Sequence, residues 1–89
     1  MNVSEIARVK GKVQGVMFRI SSQEKAIDYS LSGYAKNLDS GDVEVLMCGE
    51  RSNVDKMLEW LSNGPDDAEV TDLEHHEVKV PVPNFFSVE

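Results

Sequence analysis

Apolar and polar residues alternate from Val3 to Lys10, with Ala7 and Val9 on one face and Arg8 and Lys10 on the other. That is the two-residue period of a half-buried strand. A glycine-bearing stretch, Gly11 to Arg19, follows. Ile20, Ile27 and Leu31 then fall at helical spacing, Ser21 and Glu24 read as a capping box, and Gly33 reads as the glycine that ends the helix. Tyr34 to Leu38 predicts a second strand, and Asp39-Ser40-Gly41 is turn chemistry. Val43, Val45 and Met47 alternate with Glu44, Leu46 and Cys48 in a third strand that ends at Gly49. Ser52 can cap a second helix, whose stripe of Val54, Met57, Leu58 and Leu61 has Trp60 at its edge and Gly64-Pro65 as its stop. Val70 to Lys79 predicts a fourth strand. Val70 and Leu73 are out of phase there, as a bulge would make them. Pro81 and Pro83 break the chain before a short edge strand at Phe85 to Val88.

The order βαββαβ predicts an α+β, ferredoxin-like split β-α-β fold, an antiparallel sheet with two helices on one face. Its usual strand order is 4-1-3-2. The first two strands then run the same way on either side of the third. The loop after the first and the turn after the second emerge at one end of the sheet, about two strand spacings or roughly 10 Å apart. Arg19 in the one and Asn37 beside the other can therefore reach a common ligand.

Composition narrows the function. A chain of 89 residues is expected to form a single domain, 1–89. Its net charge of −7 argues against non-specific nucleic-acid binding. Residues 1–36 hold six basic against three acidic side chains, a balance of +3, and residues 37–89 hold three against thirteen, a balance of −10. The basic half carries the glycine stretch, which suits steering of a small anion. There is no apolar run long enough to span a bilayer and no charged-then-apolar leader, so a cytoplasmic location is the default expectation and no membrane partner is expected. The lone Cys48 allows no intrachain disulfide and reads as a buried strand residue. His75 and His76 are adjacent, so in a strand they face opposite ways and cannot chelate one metal together. Nothing demands more than a monomer.

The stretch Gly11-Lys12-Val13-Gln14-Gly15-Val16-Met17-Phe18-Arg19 suits a tetrahedral anion. Gly15 can take positive φ and turn backbone N–H groups inward, the following helix adds its own unpaired N–H groups, and Arg19 offers a planar fork. Taken alone, the stretch also fits a plain chain reversal with a solvated arginine. Asn37 can position a water without bringing negative charge near a phosphate; taken alone, it fits a turn residue near Gly41 better.

With both segments in view the chain resembles the acylphosphatases. The first segment is similar to their signature G-x-V-Q-G-V-x-F-R at Gly11, Val13, Gln14, Gly15, Val16, Phe18 and Arg19. The second is similar to a glycine–aromatic–small–basic–asparagine motif at Gly33, Tyr34, Ala35, Lys36 and Asn37, continued by Gly41, Val43 and Gly49. Trp60, Gly64-Pro65 and Phe86 also sit where that family has similar features, so the resemblance covers nearly the whole chain. It implies hydrolysis of the carboxyl–phosphate bond of acyl phosphates to carboxylate and inorganic phosphate. It implies Arg19 as the phosphate-binding arginine, Asn37 as the group that positions the attacking water, and the backbone of Gln14, Gly15, Val16, Met17 and Phe18 as the phosphate cradle. It implies no cofactor and no metal. Two other functions fit the composition: an anion-sensing module without turnover, and an interaction domain that presents its acidic half to a basic partner.

Overall fold

The computed structural model describes residues 1–89. The chain forms β1 (Asn2–Lys12), α1 (Phe18–Asp28), β2 (Ser32–Asn37), β3 (Val43–Glu50), α2 (Arg51–Leu61), β4 (Glu69–Glu77) and β5 (Phe86–Val88). The sheet order is β4-β1-β3-β2-β5. β1 pairs antiparallel with β3 and β4, and β2 pairs antiparallel with β3. This is the expected ferredoxin-like α+β architecture. One difference is β5, which runs parallel to β2, so the sheet is mixed rather than wholly antiparallel. β1 and β2 share a direction on either side of β3, so the loop after β1 and the turn after β2 leave the sheet at the same end.

The core lies between the sheet and the two helices. Ala7 and Val9 of β1, and Val43, Val45 and Met47 of β3, are fully buried on that side. The α2 stripe of Val54, Met57, Leu58 and Leu61 buries as its spacing predicts. Trp60 packs at its edge on Phe18, with ring centroids 5.9 Å apart. Cys48 is a buried strand residue, as expected, and its Sγ accepts a hydrogen bond from Ser4 Oγ at 3.2 Å. The bulge in β4 is present too: Lys10 faces Asp72 while Gly11 faces Val70, leaving Thr71 as the extra residue.

α1 departs from its sequence pattern. It starts at Phe18, three residues before the expected Ser21 cap, and it buries Phe18, Ser22 and Ala26. Ile20 and Ile27 are 46% and 64% exposed. A serine can lie on the inner face because Ser22 Oγ donates to the Phe18 carbonyl at 2.7 Å, leaving no orphan hydroxyl in the core. Gly33 does not end the helix. Ser30 does, in a left-handed conformation (φ 56°). The Ser30 N–H donates to the Ile27 carbonyl at 3.1 Å and the Leu31 N–H to the Ala26 carbonyl at 2.8 Å, the paired bonds of a Schellman stop. Gly33 lies in β2 at φ 142°, where a Cβ would overlap the Leu46 carbonyl of the neighbouring strand. Ser52 is likewise inside α2 rather than capping it, since Arg51 already begins the helix.

Three of the six basic side chains of residues 1–36 are matched by carboxylates of residues 37–89. Arg8 pairs with Asp42, Lys10 with Glu74 and Lys36 with Glu44. Lys12, Arg19 and Lys25 pair with no side-chain carboxylate. On the helix side of the sheet, Glu5 is 4% exposed and is held by Arg51 and His75. Burial alone would push its carboxyl up; the hydrogen bonds and charges of Arg51 and His75 outweigh that and hold it below its ordinary range.

Gly33→Ala should destabilise the fold by about 2 kcal/mol or more, the scale of a strained left-handed residue joined to a steric overlap, as read by chemical denaturation. A melting curve matching the parent would refute the close approach. Because Glu5 is depressed in the folded state, its contribution to stability is present above the ordinary carboxylate range and is lost as pH falls through its lower folded value. Glu5→Gln should therefore lower the melting temperature at neutral pH, and the deficit should shrink in strong acid.

Candidate active site

The loop after β1 reverses the chain through two left-handed residues, Gly15 (φ 76°) and Met17 (φ 61°). Val13 and Phe18, 1% and 2% exposed, anchor its two ends in the core. The backbone N–H groups from Gly15 to Ile20 have no acceptor within the protein, and the first helical bond runs from the Ser21 N–H to the Met17 carbonyl at 3.0 Å. Consecutive unpaired N–H groups in a left-handed turn at a helix N-terminus form a concavity for an anion. No Cβ contact forces Gly15 to be glycine; its backbone conformation does.

Arg19 follows in the first turn of α1. One guanidinium nitrogen donates to the main-chain oxygen of Glu89 at 2.5 Å, and no side-chain carboxylate competes for its remaining donors. β5 holds Glu89 in place, with the Glu89 N–H donating to the Ala35 carbonyl at 2.8 Å. Gln23 Nε2 adds a bond to the Phe86 carbonyl at 2.9 Å, tying α1 to β5. Asn37 is the last residue of β2, and it is exposed. Both side chains border a cleft of about 190 Å³ together with Val13, Gly15, Met17, Phe18 and Ile20. The topology thus brings Arg19 and Asn37 to one cavity, as the strand order requires.

Not every expected loop residue faces that cleft. Gly15, Met17 and Phe18 line it. Val16 packs instead against the hydrophobic core. Gln14 turns its side chain the other way, donating to the carbonyls of Leu38 and Asp42. The Glu89 main-chain oxygen on Arg19 carries no signal in the sequence, because the contact spans 70 residues and any residue type offers a main-chain oxygen. A larger groove of about 940 Å³ lies at the opposite end of the sheet, under residues 77–84, and includes none of these groups. It offers one cation, Lys79, and no anion cradle. No three His, Cys, Asp or Glu side chains gather where they could hold a metal ion.

The fold and this cleft define a small ferredoxin-like domain with unpaired backbone N–H groups and an arginine gathered at one sheet end. The family model described as Acylphosphatase matches residues 6–88. The acylphosphatase of Colwellia psychrerythraea is 58% identical over 88 residues, covering 99% of each chain. Among solved structures, an acylphosphatase from Coxiella burnetii superposes with a TM-score of 0.95 at 41% identity, over 99% of this chain and 93% of that one. The acylphosphatase from Bacillus subtilis gives 0.94 at 33% identity, over 100% and 99%. The chain belongs to the acylphosphatase family.

Titration with inorganic phosphate should move the backbone amide resonances of Gly15 to Ile20 first and most. Shifts confined to other regions would remove the anion cradle. Gly15→Val should weaken phosphate binding while the core stays folded, because a β-branched residue resists positive φ.

Proposed function

We propose that residues 1–89 form one catalytic unit that hydrolyses the carboxyl–phosphate bond of acyl phosphates, with Arg19 and the Gln14–Phe18 loop holding the phosphoryl group and Asn37 positioning the attacking water. One observation carries this reading most: unpaired N–H groups, an arginine paired with no side-chain carboxylate and an exposed carboxamide border one small cleft.

The chemistry asks little beyond that. An acyl phosphate leaves as a carboxylate, so its departure needs little general-acid help. Catalysis then consists of orienting the phosphoryl group, offsetting charge on its equatorial oxygens and aiming a water in line with the bond to be broken. The loop N–H groups and the Arg19 fork meet the oxygens. The Asn37 carboxamide accepts from the water through its oxygen and, being neutral, does not repel the phosphate. The water oxygen bonds to phosphorus as the phosphorus–oxygen bond to the acyl group breaks. The electron pair leaves with the carboxylate, and the water's proton passes to solvent or to the phosphate formed. The reading calls for no metal, cofactor or thiol. It also calls for no nucleic-acid or membrane partner, and it fits a cytoplasmic monomer. An anion-sensing module would need the loop and Arg19 but would have no use for a carboxamide across the cleft.

Phosphate release from a simple acyl phosphate tests the reading. Asn37→Ala should lower kcat on the order of 10²-fold, the scale of one deleted positioning or charge-stabilising group. Inhibition by inorganic phosphate should stay near parental in that variant, which also shows that it folds. Arg19→Ala should lose phosphate affinity and turnover together, and Arg19→Lys should restore little, since lysine keeps the charge but not the fork. Parental turnover in Asn37→Ala would leave Asn37 as a turn residue.

A further inference from the structure

The side chain of Gln14 does not join the cradle formed by its neighbours' backbone. Its Nε2 donates to the carbonyl oxygen of Leu38 at 2.8 Å and to that of Asp42 at 2.9 Å. Those two carbonyls belong to the turn between β2 and β3. They are also bonded within it: the Leu38 N–H donates to the Asp42 carbonyl at 2.8 Å, and the Gly41 N–H to the Leu38 carbonyl at 3.1 Å. Gln14 immediately precedes Gly15 of the phosphate loop, and its acceptor Leu38 immediately follows Asn37. One half-buried amide therefore clamps together the two segments that face each other across the cleft.

The sheet makes no such connection. β3 stands between β1 and β2, so no ladder hydrogen bond joins the end of one to the end of the other. An amide nitrogen carries the two hydrogens this bridge uses; an ionised carboxylate carries none. We propose that Gln14 is a positioning residue for hydrolysis, one that acts through Asn37 by fixing the distance between the β2–β3 turn and the phosphate loop. The proposal rests on the assignment of Asn37 to the water made above. Without the bridge, the cradle and Arg19 still hold phosphate, while the carboxamide that aims the water drifts out of line.

The test is a double-mutant cycle read in kcat and in the inhibition constant for inorganic phosphate, with Gln14→Ala, Asn37→Ala and the double variant. Gln14→Ala should lower kcat by roughly ten- to a hundredfold, the cost of a displacement of about 1 Å in a positioned group. Its phosphate inhibition constant should stay within about threefold of the parent's, and in the Asn37→Ala background the same substitution should lower kcat by less than about threefold, because the two act as a unit. Retained phosphate inhibition also shows that Gln14→Ala folds. Gln14→Glu supplies a second arm. It fills the same space and loses the donors while ionised, so its kcat deficit should narrow as pH falls and the protonated carboxyl regains a donor. An equal loss from Gln14→Ala in both backgrounds, parental kcat in Gln14→Ala, or a pH-independent deficit in Gln14→Glu would overturn the proposal. Parental turnover in Asn37→Ala alone is a separate failure: it removes the water assignment, and with it the route through which Gln14 acts.

Discussion

The site depends on two strands running in the same direction without touching. β1 and β2 are separated by β3 and aligned by their antiparallel pairing to it. That arrangement delivers a loop and a turn to one end of the sheet at a fixed spacing of roughly 10 Å. Neither segment could build the cleft alone. The loop supplies anion donors and an arginine but no group for a water. The turn follows a carboxamide but offers no cradle. The apolar packing of α2 on β1 and β3 keeps that spacing rigid, since Val9, Val45, Met57 and Leu61 leave no room for the strands to slide.

Much of this was legible in the sequence where one signal governed one outcome. The α2 stripe had the right period, and its residues bury. The alternation in β3 and the phase break in β4 also reported real structure. Failures occurred where local signals competed with tertiary demands. Ser21 and Glu24 form a good capping pattern, yet the helix begins at Phe18, because the left-handed turn at Met17 launches it earlier and leaves its first N–H groups free. The apolar Ile20 and Ile27 suggested the buried face, but a satisfied serine and a small alanine occupy it. Gly33 was legible as a special glycine and misplaced as to why: the constraint is a carbonyl on the adjacent strand, which no local pattern reveals.

The candidate site shows the same division. Arg19 and Asn37 can be paired from topology, because strand order alone dictates their common end. The side-chain direction of Gln14 and the main-chain oxygen that holds Arg19 cannot. Both are contacts to backbone oxygens far along the chain, and such acceptors have no residue signature. The sequence's apparent positive field is also partly illusory, since Lys10 and Lys36 are matched by carboxylates on neighbouring strands and Arg8 by Asp42 of the β2–β3 turn. Exposed pairs of that kind add little stability. Arg19, beside the loop, pairs with no side-chain carboxylate.

In the proposed mechanism the cleft presents phosphorus, rather than the acyl carbon, to the water. Hydrolysis of benzoyl phosphate in oxygen-18 water, with both products analysed by mass spectrometry, separates the two. One labelled oxygen should enter inorganic phosphate and none should enter benzoate. Label in benzoate would mean attack at the carbonyl carbon, and the roles assigned to the loop, Arg19 and Asn37 would be contradicted together.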